Sequence, residues 1–143
     1  MNYYLVALAL HAIVAVLGIG QVMALLVLAS DAQKASDRLP WTLSIMGRLA
    51  RVVGISLGLM FLTGIVVMLP TGGAYGRAWW FRIAFLLFIG LGACNGMLQR
   101  AIRVAGGPAA DARAAAVARM PTLAWLMVGI ATVIVFLMAS KPF

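Results

Sequence analysis

The chain has 143 residues, 65% of them hydrophobic and only 10% charged, with a mean hydropathy of +1.09. Soluble domains carry about 25% charged residues, so the composition excludes a water-soluble globular protein. Eleven Lys and Arg stand against three Asp, a net charge of +8, but they are confined to short stretches between apolar runs, which argues against nucleic acid and for anionic headgroups.

Four apolar runs follow one another: about 3–29, 52–69, 79–98 and 121–140. Each approaches or exceeds the roughly 20 residues of a transmembrane helix. The first is too long for the 7–15-residue core of a signal peptide, and no Lys or Arg precedes it. The second extends back to about residue 43, with Leu39, Trp41, Ile45, Met46 and Leu49 forming an interfacial turn or two. Pro121 suits the first turn of the fourth helix, where a missing N–H costs nothing. Residues 70–78 form a tight Gly/Pro connection, whereas 30–40 and 99–120 are two basic loops.

Lys34, Arg38, Arg48, Arg51, Arg100, Arg103, Arg113 and Arg119 belong to the basic loops and their borders, against Arg77, Arg82 and Lys141 on the other side. The positive-inside rule then predicts loops 30–42 and 99–120 in the cytoplasm and both termini outside, in a bacterial cytoplasmic membrane. Trp79 and Trp80 fall in the outer aromatic belt. The expected architecture is all-α: one transmembrane domain, 1–143, folded as an up-down four-helix bundle with spans of about 3–29, 43–69, 79–98 and 121–140. Gly54-x-x-x-Gly58 and Gly92-x-x-x-Gly96 favour close helix contacts, expected inside the bundle.

His11 is the single histidine, within the first span. An ionisable side chain at membrane depth is costly and by default faces a partner, a ligand or the protein interior. Histidine is also a common axial ligand of haem iron. Ala15, Gly18 and Val22 share its helix face, with Gln21 at the edge, so small residues below the ring leave room for a flat ligand or for a closely packed helix. A histidine merely hydrogen-bonded to the next helix is the other reading. Arg82, a turn inside the third span, either snorkels to the headgroups or clamps a carboxylate such as a propionate. Ser56 and Thr63 share a face of the second helix and read as interhelical hydrogen-bonding groups, as do Gln21 and Asn95. Met60 and Met138 fall near the depth of His11 and are candidate soft ligands. Asp31, Asp37 and Asp111 are the only acids, all in loops, which argues against an ion-coupled pump. Cys94 is alone, so the chain has no internal disulfide, and the sequence contains no cysteine cluster for a metal.

Three pieces of the chain resemble a superfamily of small four-helix membrane proteins that includes HemJ-type protoporphyrinogen oxidases and CopD-like copper-resistance domains. They are Leu10-His11 followed by Gly18; Arg48-Leu49-Ala50-Arg51 through Thr63-Gly64; and Met120-Pro121-Thr122-Leu123 running to Lys141-Pro142-Phe143. The resemblance implies a haem b ligated by His11 and, in the HemJ branch, oxidation of protoporphyrinogen IX to protoporphyrin IX. Two positions depart from the family. Arg82 stands at the family lysine early in the third helix, and Arg119-Met120 replaces the Asn-Glu pair before Pro-Thr. These changes touch polar groups suited to substrate handling and point to a divergent paralogue, or to a membrane subunit that kept the scaffold.

The expectation is therefore a haem-associated membrane redox protein. His11 would be the metal ligand, His11 and Arg82 would be the cofactor-binding residues, and a porphyrin or haem would be the partner. With one histidine, the iron is five-coordinate, uses a methionine, or shares histidines across a homo-oligomer. The alternatives are a non-catalytic subunit or assembly factor of a larger membrane complex, and a CopD-like copper-handling protein.

Overall fold

The computed structural model describes residues 3–34, 37–71 and 74–140. They form four long helices: α1 (Tyr3–Ala32), α2 (Leu39–Met68), α4 (Trp79–Ala105) and α5 (Ala110–Ser140). A 3-10 turn (Leu69–Thr71) and the four-residue α3 (Ala74–Arg77) join α2 to α4. All four long helices are apolar enough to cross a membrane. They run alternately up and down, and the neighbours around the bundle are α1–α2, α2–α4, α4–α5 and α5–α1. Lys141-Pro142-Phe143, the last piece of the family resemblance, lies outside the described residues.

The helices hold 27–31 residues, about 40–46 Å at 1.5 Å per residue. A bilayer's hydrocarbon core is roughly 30 Å thick. Much of the excess is at the basic end, and here the structure departs from the expected loops. Where 99–120 reads as one long connection, α4 continues to Ala105 and α5 resumes at Ala110. Alanine dominates 109–118 and is the strongest helix former, so the stretch is helical although too polar to register as an apolar run. The break falls at Gly106-Gly107-Pro108. A side chain at Gly107 would bring a Cβ to 3.1 Å from the Val104 carbonyl oxygen.

Pro121 is also placed differently. It lies inside α5 rather than in a first turn, because the helix begins eleven residues earlier. An interior proline disrupts the local hydrogen-bond ladder and strains the turn before it. The carbonyl that Pro121 leaves without its helical donor is that of Val117; Gln33 Nε2 donates to the next one, the Ala118 carbonyl, at 3.3 Å. At the start of α2, Pro40 occupies the first turn as a proline should, and the Thr42 hydroxyl donates to the Arg38 carbonyl at 3.1 Å.

Packing is uneven along the bundle. The large side chains with almost no exposure are Leu25, Met46, Val53, Leu98, Met120 and Met127. All of them lie in the half that ends in the basic residues. Small residues bring the backbones together there: Ala29, Ala50 and Ala124 are fully buried, as expected where association depends on close contact rather than on excluding water. Asn95 Nδ2 and Gln99 Nε2 both donate to the Ala50 carbonyl, at 3.1 and 3.2 Å, and tie α4 to α2. Gly54 makes that seam possible, since its Cβ would sit 3.3 Å from Asn95 Nδ2. Gly58, Gly92 and Gly96 meet nothing within 4 Å, so of the two expected motifs only Gly54 packs inside the bundle.

The opposite half is looser. Within α1 the only buried residue before Val22 is Ala7, and within α2 none follows Ser56. Apolar side chains such as Leu5, Val16, Ile55, Leu62 and Phe136 face outward, where acyl chains would solvate them.

Candidate functional site

Between the four long helices, in the looser half, lies a cavity of about 360 Å³. Its walls are apolar: Ala15, Gly18 and Ile19 from α1, Leu57 from α2, Phe88 and Leu91 from α4, Ala131 and Ile134 from α5. Polar side chains reach it at two places, His11 and Ser56. The small face of α1 below His11 does both things: Ala15 and Gly18 border the cavity, while Val22 is buried and a Cβ on Gly18 would meet the Ser56 Cβ of α2 at 3.5 Å.

His11 is half-buried and held by α2. Its Nδ1 lies 2.9 Å from Thr63 Oγ1. The same hydroxyl lies 2.8 Å from the Leu59 carbonyl oxygen and 3.2 Å from that of Met60. A hydroxyl has one proton, and a carbonyl can only accept. With its proton on the nearer carbonyl, that of Leu59, Thr63 accepts from the ring. In neutral imidazole this places the proton on Nδ1 and leaves Nε2 with the lone pair, the arrangement that prepares a histidine to ligate through Nε2. Gly64 lies against the ring: a Cβ there would be in van der Waals contact with His11 Cε1, at 3.4 Å. Met60 and Met138 line the same cavity, so the two thioethers expected near the depth of His11 share its chamber.

Arg82 does not line the cavity. It is exposed; its Nε donates to the Gly76 carbonyl at 2.9 Å, and its guanidinium carbon lies 5.7 Å from the centre of the Trp79 ring. The side chain thus braces the α3–α4 connection, and the structure does not bring Arg82 and His11 together. Of the other singled-out residues, Asn95 is a seam group, with its Oδ1 buried and unpartnered among the described residues, as is Gln21 Oε1. Cys94 is buried and free.

Sequence reasoning placed Ser56 and Thr63 on one face but did not pair Thr63 with His11. The signal was available: antiparallel neighbouring helices put residue 63 of the second opposite residue 11 of the first, once a short connection is assumed. Among the described residues no three His, Cys, Asp or Glu side chains cluster. A metal at His11 would thus arrive within a macrocycle or draw on the methionines. The chain matches no protein-family model, no curated protein and no solved structure.

Proposed function

We propose that the chain is an integral membrane haem protein of the HemJ-like kind, with His11 Nε2 as axial ligand. The observation that supports this reading is the 2.9 Å contact between His11 Nδ1 and the Thr63 hydroxyl beside an apolar cavity, a pairing through which Nδ1 is engaged and Nε2 is left for a ligand. The cavity's volume lies within the range of small-molecule sites, roughly 300–1,000 Å³. Its apolar walls suit the faces of a porphyrin, and Ala15 and Gly18 leave space beneath the ring. A bound haem b would supply one-electron chemistry. Among the chain's own residues, His11 would hold the iron, Thr63 would orient the imidazole, and Met60 or Met138 would be the available thioether, whose ligation would raise the reduction potential. Arg82 does not line the cavity, so the propionates of such a haem are not assigned to it.

The test is the absorption spectrum of the protein purified after expression with ample haem. A Soret band is expected, lost in His11→Ala. Absence of the band, or a band indifferent to His11→Ala, overturns the reading.

A second reading rests on the same chamber. One imidazole with two thioethers is a soft ligand set suited to Cu(I). Stoichiometric Cu(I) binding against a competing chelator, abolished in Met60→Leu/Met138→Leu and accompanied by no Soret band, would favour it.

A further inference from the structure

At the other end of the molecule, the ends of α1, α2 and α5 border a second, open recess of about 450 Å³. It is independent of the His11 cavity and of any cofactor there. Two cations from distant parts of the chain meet on it: Lys34, just beyond α1, and Arg113, in the first turns of α5. The rest of the lining includes Gln33 and the apolar side chains of Ala32, Leu39 and Val117. The chain's acids are Asp31, Asp37 and Asp111, and none of them lines the recess. Arg113 is held in place, since one of its terminal nitrogens donates to the Gly107 carbonyl at 2.8 Å. A guanidinium has five N–H donors, so most of that group's capacity is left for a ligand.

Depth completes the argument. Lys34 follows the end of the first apolar run at residue 29 by five positions, about 7 Å at helical rise. The interfacial layer on each side of a bilayer is roughly 5–8 Å thick. The recess therefore combines positive charge and apolar walls at the level where a lipid carries its phosphate. Basic pockets between membrane helices are suited to anionic headgroups.

We propose that this recess binds a single phosphate group between Lys34 and Arg113, and that the phosphate is the headgroup of an anionic glycerophospholipid whose acyl chains lie against Leu39 and Val117. A free phosphate presents the same chemistry, so the experiment separates the two sources. The full chain is placed in nanodiscs of phosphatidylcholine with a minority of phosphatidylglycerol, then released into detergent and analysed by native mass spectrometry. One phosphatidylglycerol should remain bound after phosphatidylcholine is stripped. Lys34→Gln/Arg113→Gln should lower its occupancy at least tenfold, whereas Arg100→Gln/Arg103→Gln, an equal change of charge on exposed positions of α4, should leave it intact. Equal losses in the two double variants overturn the proposal, because attraction would then be general rather than sited. Retention of no lipid, with thermal stabilisation by millimolar inorganic phosphate that depends on Lys34 and Arg113, overturns the lipid source and keeps the phosphate site. Neither retention nor stabilisation overturns both. Helicity of each variant, read by circular dichroism, should match the parent, since all four side chains are exposed.

Discussion

Thr63 is the hydrogen-bond partner of His11 Nδ1. Thr63→Val keeps the shape of the side chain and removes the acceptor. Losing the partner of a ligating histidine typically costs 10–100-fold in affinity, so haem titration of Thr63→Val should show a loss of that size, with Thr63→Ser restoring most of it. A wholly structural role would instead lower thermal stability equally in haem-free Thr63→Val and Thr63→Ser. At the seam between α2 and α4 the logic is different, because Asn95 and Gln99 serve one carbonyl together. Asn95→Ala alone should cost about 0.6 kcal/mol, the average for a membrane hydrogen bond. The double variant with Gln99→Ala should cost more than the sum of the two, since only then is the Ala50 carbonyl without a side-chain donor. Equilibrium unfolding in mixed micelles measures both. Residues of this kind were partly legible in the sequence. His11 stood out as a histidine in an apolar run, and Ser56 and Thr63 fell on one helical face. Arg82 was misleading because its position along the chain shows its depth but not that its side chain turns to Gly76 and Trp79 and stays out of the cavity lining.

Among the elements, α5 departs most from its sequence. The apolar window locates the part that crosses the membrane and misses the eleven residues before Pro121, because alanine contributes strongly to helix formation and weakly to hydropathy. The proline then becomes an interior residue beside a carbonyl that Gln33 reaches from the end of α1. Pro121→Ala should stabilise the helix, by up to the roughly 3 kcal/mol that separates proline from alanine in a helix interior. Gln33→Ala should destabilise the parent and the Pro121→Ala background by the same small amount, because Gln33 serves the Ala118 carbonyl and not the Val117 carbonyl that the proline leaves unpaired. A double-mutant cycle in detergent checks this additivity.

For the whole molecule, the four spans, their alternation and their basic end are legible from the order of apolar runs and the placement of Lys and Arg, because a bilayer demands long apolar segments whatever their function. The uneven packing is not, since it depends on which faces of four nearly uniform helices meet. Apolar residues on all sides of α1 give its sequence no preferred face. A direct check is to fill the cavity. Ala15→Leu places a larger apolar side chain on its α1 wall and should abolish the Soret band while leaving helicity and unfolding temperature equal to or above those of the cofactor-free parent. Backbone hydrogen exchange should be slowest around Leu25, Met46, Leu98 and Met120 and faster along the first half of α1, following the density of buried contacts.

The cavity touches all four long helices in the half where their own contacts are fewest. Whatever fills it acts as a missing piece of core, closing one end of the bundle as the buried methionines close the other. Occupancy is therefore also a contribution to folding: a ligand present at about a hundred times its dissociation constant adds about 2.7 kcal/mol to the stability of the folded state. The natural occupant can thus be sought as the compound that most raises the melting temperature, in a screen that needs neither colour nor turnover.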